Sequence, residues 1–333
     1  MKKTMMLVLG AGLAALLAAG SAQAADKKVL AIVVKGLDNG FFTVMGSGCD
    51  LWNKNHPDSE YQCLFTGPAL TSDEAGEIQI VQDLLAKPTT AGIAISPSNA
   101  PAMAKLLREV KPKIPVITVD ADVTAEDKDV RAMFFGSSNT LMGETMADWA
   151  MKLRPQGGTV CLQLGNPAAA NLNERAQGFR DKIAGKKGTE RLTGQGGWTE
   201  IEGCPVYTND DIALANQQLS DVLTAHPDIN AFILTGGWAQ QGTEAYAATF
   251  NQVKARFESK DLIVVAGDAL VSQRPAFRNG LSQVNVAQKP DEMGLRAPDF
   301  LIDLINGKSV VDPTYTGFNM CTPDDPGICA NDN

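Results

Sequence analysis

Histidine is almost absent from this sequence: only His56 and His226 occur among 333 residues, each followed directly by proline in a turn-like context. No CxxC pair is present either. Structural zinc sites draw on closely spaced Cys and His ligands, and a Ser-His-Asp relay needs a histidine free to take a proton, so both chemistries are poorly supplied. A phosphate-binding loop and a GxSxG elbow are also missing. Basic residues are in deficit, with 29 Lys and Arg against 38 Asp and Glu and a net charge of −9. A nucleic-acid partner requires a basic face to meet the phosphate backbone, and an anionic membrane surface is disfavoured for the same reason. Beyond the first two dozen residues no stretch is both long and uncharged enough to read as a bilayer span. Low-complexity tracts and short-period repeats are lacking, which disfavours solenoids and disordered linkers.

The one long apolar run, 5–19, follows Lys2 and Lys3 and precedes Ala22-Gln23-Ala24. A basic start, an apolar centre and a small-residue cleavage site read as a secretory signal peptide over 1–24, with the mature chain beginning near Ala25. Gly10-Ala11-Gly12-Leu13-Ala14-Ala15 matches the dinucleotide-binding GxGxxA pattern, but it lies in the segment destined for removal. No cofactor is expected. Loss of Lys2 and Lys3 takes the net charge from −9 to −11. The expected cleavage site carries no cysteine, which argues against a lipid anchor.

The remaining length suits two ordinary α/β domains, each with its own core. Short β-branched runs at 29–34, 92–95, 115–119, 159–164, 231–234 and 262–266 read as strands, and the segment 132–135 as another. Between them lie amphipathic patterns: Ile78, Val81 and Leu85 share one helical face, as do Met293, Ala297, Leu301 and Leu304. Such alternation predicts parallel sheets covered by helices on both sides, with ligands meeting the carboxyl ends of the strands. In an exported chain six cysteines read as disulfides rather than metal ligands, and no metal site is expected. Sequence alone does not fix their connectivity. Cys321 and Cys329 flank a Pro/Asp/Gly loop and read as a local pair; Cys49 with Cys63 would tie the first helix to the second strand, and Cys161 with Cys204 would tie two strands of the second lobe.

The strand ends carry the chemistry. The first strand runs into Lys35-Gly36-Leu37-Asp38-Asn39-Gly40-Phe41-Phe42, which sets a lysine, a carboxamide and two aromatics at one strand-to-helix turn. An isolated Phe-Phe pair is ordinarily core. A pyranose or polyol, however, presents an apolar C–H face to a ring and a rim of hydroxyls to paired donors and acceptors, so aromatic plus carboxamide suits it. Val119-Asp120-Ala121-Asp122 ends another strand; Asp120 is the candidate ligand contact, and Asp122 is equally a loop carboxylate, a cap or a second contact. Asn139 follows the strand at 132–135, while Asn171 and Arg175 open the helix after the strand at 159–164. An arginine there can donate its fork to two hydroxyls or a carboxylate.

Asn39-Gly40-Phe41-Phe42 resembles the Asn-Pro-Phe-Phe turn of the type I periplasmic sugar-binding proteins, the ribose-binding group. The similarity continues through Ile114-Pro115-Val116-Ile117-Thr118-Val119-Asp120, through Asn173-Glu174-Arg175 with Gly178-Phe179, through Leu223-Thr224-Ala225-His226-Pro227-Asp228, and through Val286-Ala287-Gln288-Lys289-Pro290-Asp291. These blocks stand in the family's order and span nearly all of the mature chain. The resemblance implies two doubly wound parallel-sheet lobes joined by a three-strand hinge, closing on a sugar like a clamp and docking, closed, on the permease of an ABC importer. By matched position it implies ligand contacts at Asn39, Phe41, Phe42 and Asp120 on one side and at Asn139, Arg175, Asp268 and Gln288 on the other. Lys35 and Ser96 fall where the family also often reaches the sugar.

Departures from the pattern bear on the ligand. Ala121 and then Asp122 follow the strand-end aspartate where ribose binders carry an arginine, Gly236 replaces an asparagine, Asp210 an aromatic and Lys35 a small polar residue. Trp238 is then expected to supply the second stacking surface. Ribose itself is disfavoured, and the added lysine and aspartates suit a hexose, a polyol or an amino sugar. The lobes are expected at 26–137 with 289–317, and at 138–288 with 318–333. A periplasmic monomer is expected, serving an ABC permease or alternatively a chemoreceptor or sensor kinase. A glycosidase is the competing enzyme reading, since Asp120, Asp122 and Asp268 could be imagined as its paired carboxylates.

Overall fold

A computed structural model describes residues 27–332, so the signal-peptide segment lies outside the described residues. The chain opens with β1 (Lys28–Val33), α1 (Gly40–Asn55), β2 (Tyr61–Thr66), α2 (Glu74–Ala86), β3 (Thr90–Ile95), α3 (Ala100–Val110), β4 (Val116–Val119) and β5 (Phe134–Gly136). These strands lie in the order β2-β1-β3-β4-β5 and are all parallel. Leu30, Ile32 and Val34 pack toward α1, while Ala31 and Val33 turn to the opposite face, against Val81 and Leu84 of α2 and Met103 and Leu107 of α3. A strand apolar on both faces is what a sheet covered by helices on both sides requires.

A second unit repeats the plan. It comprises α4 (Asn139–Leu153), β6 (Gly158–Leu164), α5 (Ala170–Ala184), β7 (Trp198–Glu200), β8 (Val206–Tyr207), α6 (Ile212–Ala225), β9 (Ala231–Leu234), α7 (Trp238–Gln241), α8 (Thr243–Asn251), α9 (Lys254–Glu258), β10 (Ile263–Gly267), α10 (Arg274–Arg278) and β11 (Val284–Ala287). Its parallel strands run β7-β6-β9-β10-β11, with β8 also on β6. The chain then returns: α11 (Pro290–Ile305) buries Met293, Ala297 and Leu301 against the first sheet, and β12 (Thr314–Tyr315) extends that sheet beside β5. Finally β13 (Asn319–Cys321) joins β11 antiparallel. The backbone therefore passes between the two sheets three times, after β5, after β11 and after β12.

Both sheets have the open order in which neighbouring connections diverge, leaving a crevice at the carboxyl ends of the strands. Close helix crossings hold the frame. A Cβ on Gly143 of α4 would lie 1.9 Å from the Arg175 carbonyl oxygen, and one on Gly178 of α5 would lie 2.3 Å from that of Thr140. Only glycine at both positions lets α4 and α5 approach backbone to backbone, which brings Arg175 to the first residue of α4.

The buried face of α2 differs from the hydropathy pattern. Glu77, Val81 and Leu84 point inward, and Ile78 and Leu85 are only partly buried. A carboxylate is tolerated inside because the Ser98 backbone N–H (2.9 Å) and the Ser98 hydroxyl both donate to it. All three expected disulfides form: Cys49–Cys63, Cys161–Cys204 and Cys321–Cys329. The second ties β6 to the loop before β8 rather than to another strand. No helix of the described residues is long and apolar enough to cross a membrane.

Candidate ligand-binding cleft

The carboxyl ends of both sheets face one cleft between the lobes. From the first lobe come Lys35 after β1, Asn39, Phe41 and Phe42 at the start of α1, and Asp120 after β4. The second contributes Asn171 and Arg175 of α5, Trp238 after β9, Asp268 after β10 and Gln288 after β11. Sequence reasoning placed each of these, and the fold brings them together although they span more than 250 residues of chain.

One wall is aromatic. Asn39 caps α1 by accepting from the Phe41 N–H at 3.0 Å, which fixes the turn carrying both phenylalanines. Their rings meet edge to face at 5.3 Å, and both also belong to the first-lobe core, so the core and contact readings of this pair are compatible. Trp238 stands in the opposite lobe. Its indole lies against Gly236, where a Cβ would fall 2.4 Å away, and against Gly165, where one would fall 2.8 Å away. The glycine at 236 is thus the space the indole needs.

The polar wall is under strain and incompletely satisfied. Asp120, Asp210 and Asp268 all line the cavity with positive φ, between 62° and 65°. This left-handed conformation is uncommon outside glycine and tends to be held at ligand sites by the surrounding structure. At Asp268 the clamp is a set of buried amides: Asn285 Nδ2 donates to its carbonyl at 2.7 Å and Gln273 Nε2 to Gly267 O at 3.0 Å, both anchored on Gln240 Oε1. No motif in the sequence marks this trio. Burial pushes the carboxyls of Asp210 and Asp268 upward; the Lys35 charge opposes this at Asp210, and the Arg175 charge and Gln288 oppose it at Asp268.

Arg175 is 2 % exposed. Its Nε donates to Asn139 Oδ1 at 2.9 Å and its Nη1 to Thr235 O at 2.8 Å, but Nη2 has no partner. Gln288 Nε2 donates to Asp268 Oδ1 at 3.1 Å, and its Oε1 has no partner. The cleft thus holds one unused donor and one unused acceptor, each inside the protein, where an unmet polar atom costs ~1–3 kcal/mol.

Three expected contacts stand outside the lining. Ser96 lies behind Asp120 and donates to its Oδ2 at 2.7 Å. Asn139 orients Arg175 instead of facing the cavity. Asp122 is turned back into the first lobe: Arg131 binds it through Nε (2.8 Å) and Nη2 (2.6 Å), and Thr118 Oγ1 donates to it at 2.6 Å. The remaining nitrogen of Arg131 reaches Asp312 at 2.6 Å, so Asp122 serves the tie between the end of β4 and the segment before β12. The fold adds to the lining Asp210, Leu172 and Gln241. Asp210 was legible only as a departure from a family pattern, and the other two carried no signal.

Contacts across the cleft place the lobes in a closed arrangement. Lys35 Nζ donates to Asn171 Oδ1 at 3.2 Å, the Ala100 N–H to Ala168 O at 3.2 Å, and Asn166 Nδ2 to Glu74 Oε1. Glu74 also accepts from Asn99 at 2.8 Å. Among the described residues no cluster of three His, Cys, Asp or Glu side chains could hold a metal ion.

The family model of the periplasmic binding protein domain matches residues 30–309. The chain belongs to this family. Among curated periplasmic binding proteins, it is 26 % identical to the ribose import binding protein of Salmonella typhimurium over 311 residues, covering 93 % of this chain and 95 % of that one. It is 23 % identical to the D-ribose/D-allose-binding protein of Pseudomonas aeruginosa over 269 residues, covering 79 % and 78 %. Among solved structures, an ABC transporter solute-binding protein from Burkholderia graminis in complex with D-arabinose superposes with a TM-score of 0.75 at 25 % identity, covering 90 % of this chain and 96 % of that one. A solute-binding protein from Agrobacterium vitis with bound D-fucose shares the fold, with a TM-score of 0.77 at 20 % identity and coverage of 89 % and 96 %.

Proposed function

We propose that this protein captures a sugar or polyol between its two lobes in the periplasm and presents the closed complex to an ABC importer, without altering the ligand. The observation that carries the proposal is the pair of unused polar atoms, Arg175 Nη2 and Gln288 Oε1, in a cleft that also offers two phenylalanine rings and an indole. A sugar hydroxyl both donates and accepts, so one ring can meet both atoms while its C–H face lies on an aromatic side chain. The sugar-binding relatives support this reading. The lobes 26–137 with 289–317 and 138–288 with 318–333 act as jaws, and the three crossings between them form the hinge. Ligand bridging both jaws stabilises the closed state by its differential affinity.

A thermal-shift screen of the mature protein against pentoses, hexoses, amino sugars, polyols and inositols tests the proposal. A ligand binding only the native state raises the melting temperature once its concentration passes its dissociation constant. A stabilising sugar recovered chemically unchanged is the expected result. A sugar consumed during incubation would make this a carbohydrate-active enzyme, with the raised carboxyls of Asp210 and Asp268 as candidate acids. A panel without any hit would sink the carbohydrate reading.

A further inference from the structure

The two lobes meet without an ion pair between them. Every salt bridge within 4.0 Å among the described residues joins two side chains of the same lobe. The contacts that cross the cleft use amides and backbone instead: Lys35 meets Asn171, the Ala100 N–H meets Ala168 O, and Glu74 meets Asn166. Carboxyl groups nonetheless converge on the seam from both sides. Asp120 after β4 lines the same cleft as Asp210 after β8 and Asp268 after β10. Next to Arg175, the partly buried Glu174 of α5 lies within range of two first-lobe charges, Asp122 and Lys128.

The cations at the seam do not pair these groups off. Lys35 and Arg175 stand in the lining, Lys128 faces Glu174 from the turn at 125–130, and Arg131 is committed to Asp122 and Asp312. At Asp210 burial disfavours the charged form; Lys35, the Asn166 N–H and Arg175 oppose this, and the Asp120 charge adds to it. At Asp268 burial acts the same way, opposed by Arg175 and Gln288 and reinforced by Asp120. At Glu174 burial is reinforced by Asp122 and opposed by Lys128, Arg175 and Asn139. In each of the three, a first-lobe carboxylate adds to the effect of enclosure.

We propose that closing of the lobes takes up protons at Glu174, Asp210 and Asp268, so that the cleft closes more readily in acid than in alkaline solution. When the lobes part, these groups face water, lose their first-lobe neighbours and return toward the ordinary carboxylate range at about 4. A group that holds its proton more tightly in the closed form gains one on closing. Protonation therefore supports the closed form fully below about pH 4, and that support is lost as pH rises through the raised range of the enclosed groups. Capture inherits this dependence, because the ligand is held by the closed form. The inference requires the lobes to part and is independent of whether the ligand is a sugar.

Small-angle scattering of the mature chain without added ligand tests it at pH 5, 6.5 and 8, with circular dichroism confirming that the protein is folded at each pH. Two variants accompany the wild type. Glu174→Gln stands outside the cleft lining and keeps an oxygen for Asn139, and Asp210→Asn keeps an acceptor for the Asn166 N–H. The expected result is a ratio of closed to open molecules that falls roughly tenfold from pH 5 to pH 8, the factor for one carboxyl shifted by one pH unit, with a flatter profile in at least one variant. A wild-type ratio that does not change with pH, or a profile that both variants leave unaltered, would overturn the proposal. Either of those outcomes leaves the sugar reading standing, and a sugar panel without a hit leaves this inference standing.

Discussion

Glu77 is a carboxylic acid enclosed in the first lobe, 1 % exposed, with one oxygen held by Ser98 and the other without a partner. Burial raises its pKa from 4.5 to about 7; the two Ser98 hydrogen bonds and the Lys35 charge pull it back, and the Glu74 charge adds to it. Below pH 4.5 the group is neutral in the folded and unfolded chains and has no effect on their difference. Between pH 4.5 and about 7 the unfolded chain releases its proton while the fold retains it, so this group makes stability fall as pH rises. At ~1.36 kcal/mol for each pH unit, the fold is about 3 kcal/mol less stable above pH 7 than below pH 4.5 on this account alone. Glu77→Gln keeps an oxygen for Ser98 and removes the charge. Urea unfolding of both proteins at pH 4, 6 and 8 should show the variant gaining about 3 kcal/mol on the wild type across that range, since groups common to both cancel. A difference that stays constant with pH would refute the placement of an ionisable group in a buried site.

Arg175→Ala should weaken ligand binding roughly tenfold to a hundredfold by calorimetry, the loss of a charged hydrogen bond, while leaving the protein folded; unchanged affinity would remove Arg175 from the site. Asn166→Asp sets a second carboxylate against Glu74 at the lobe contact and keeps the backbone N–H that donates to Asp210 Oδ1 at 3.2 Å. It should reduce affinity about fivefold by favouring the open state, detectable as a larger radius of gyration in small-angle scattering, and an unaltered radius would count against the contact. Among the disulfides, Cys161–Cys204 closes the longest loop, 43 residues against 8 for Cys321–Cys329. In the chain-entropy model Cys161→Ala with Cys204→Ala should cost about 4 kcal/mol and loss of the short bridge between about 2 and 3, so equal thermal destabilisation of the two double variants would contradict that ranking.

The alternation of strands and helices, the local pair Cys321–Cys329 and the positions of Asn39, Phe41, Phe42 and Arg175 at strand ends were legible in the sequence. Each depends on local features: hydrophobic period, turn chemistry and the polar residues that interrupt an apolar run. Local reading preferred Asp120 as the contact but left Asp122 open between contact and loop carboxylate. Two residues apart in one loop, they differ only in that the first adopts a left-handed turn into the cleft and the second meets Arg131 and Thr118 beneath it. Asn139 and Ser96 likewise stand one bond behind the lining, because their partners arrive from elsewhere in the chain. Tertiary structure alone decided which donor and acceptor go unused, that Gly236 makes room for an indole, and that Leu172 and Gln241 belong to the cleft. A site built between two lobes is made of contacts between distant segments, and a hydropathy pattern records which way a side chain faces, not what comes to meet it.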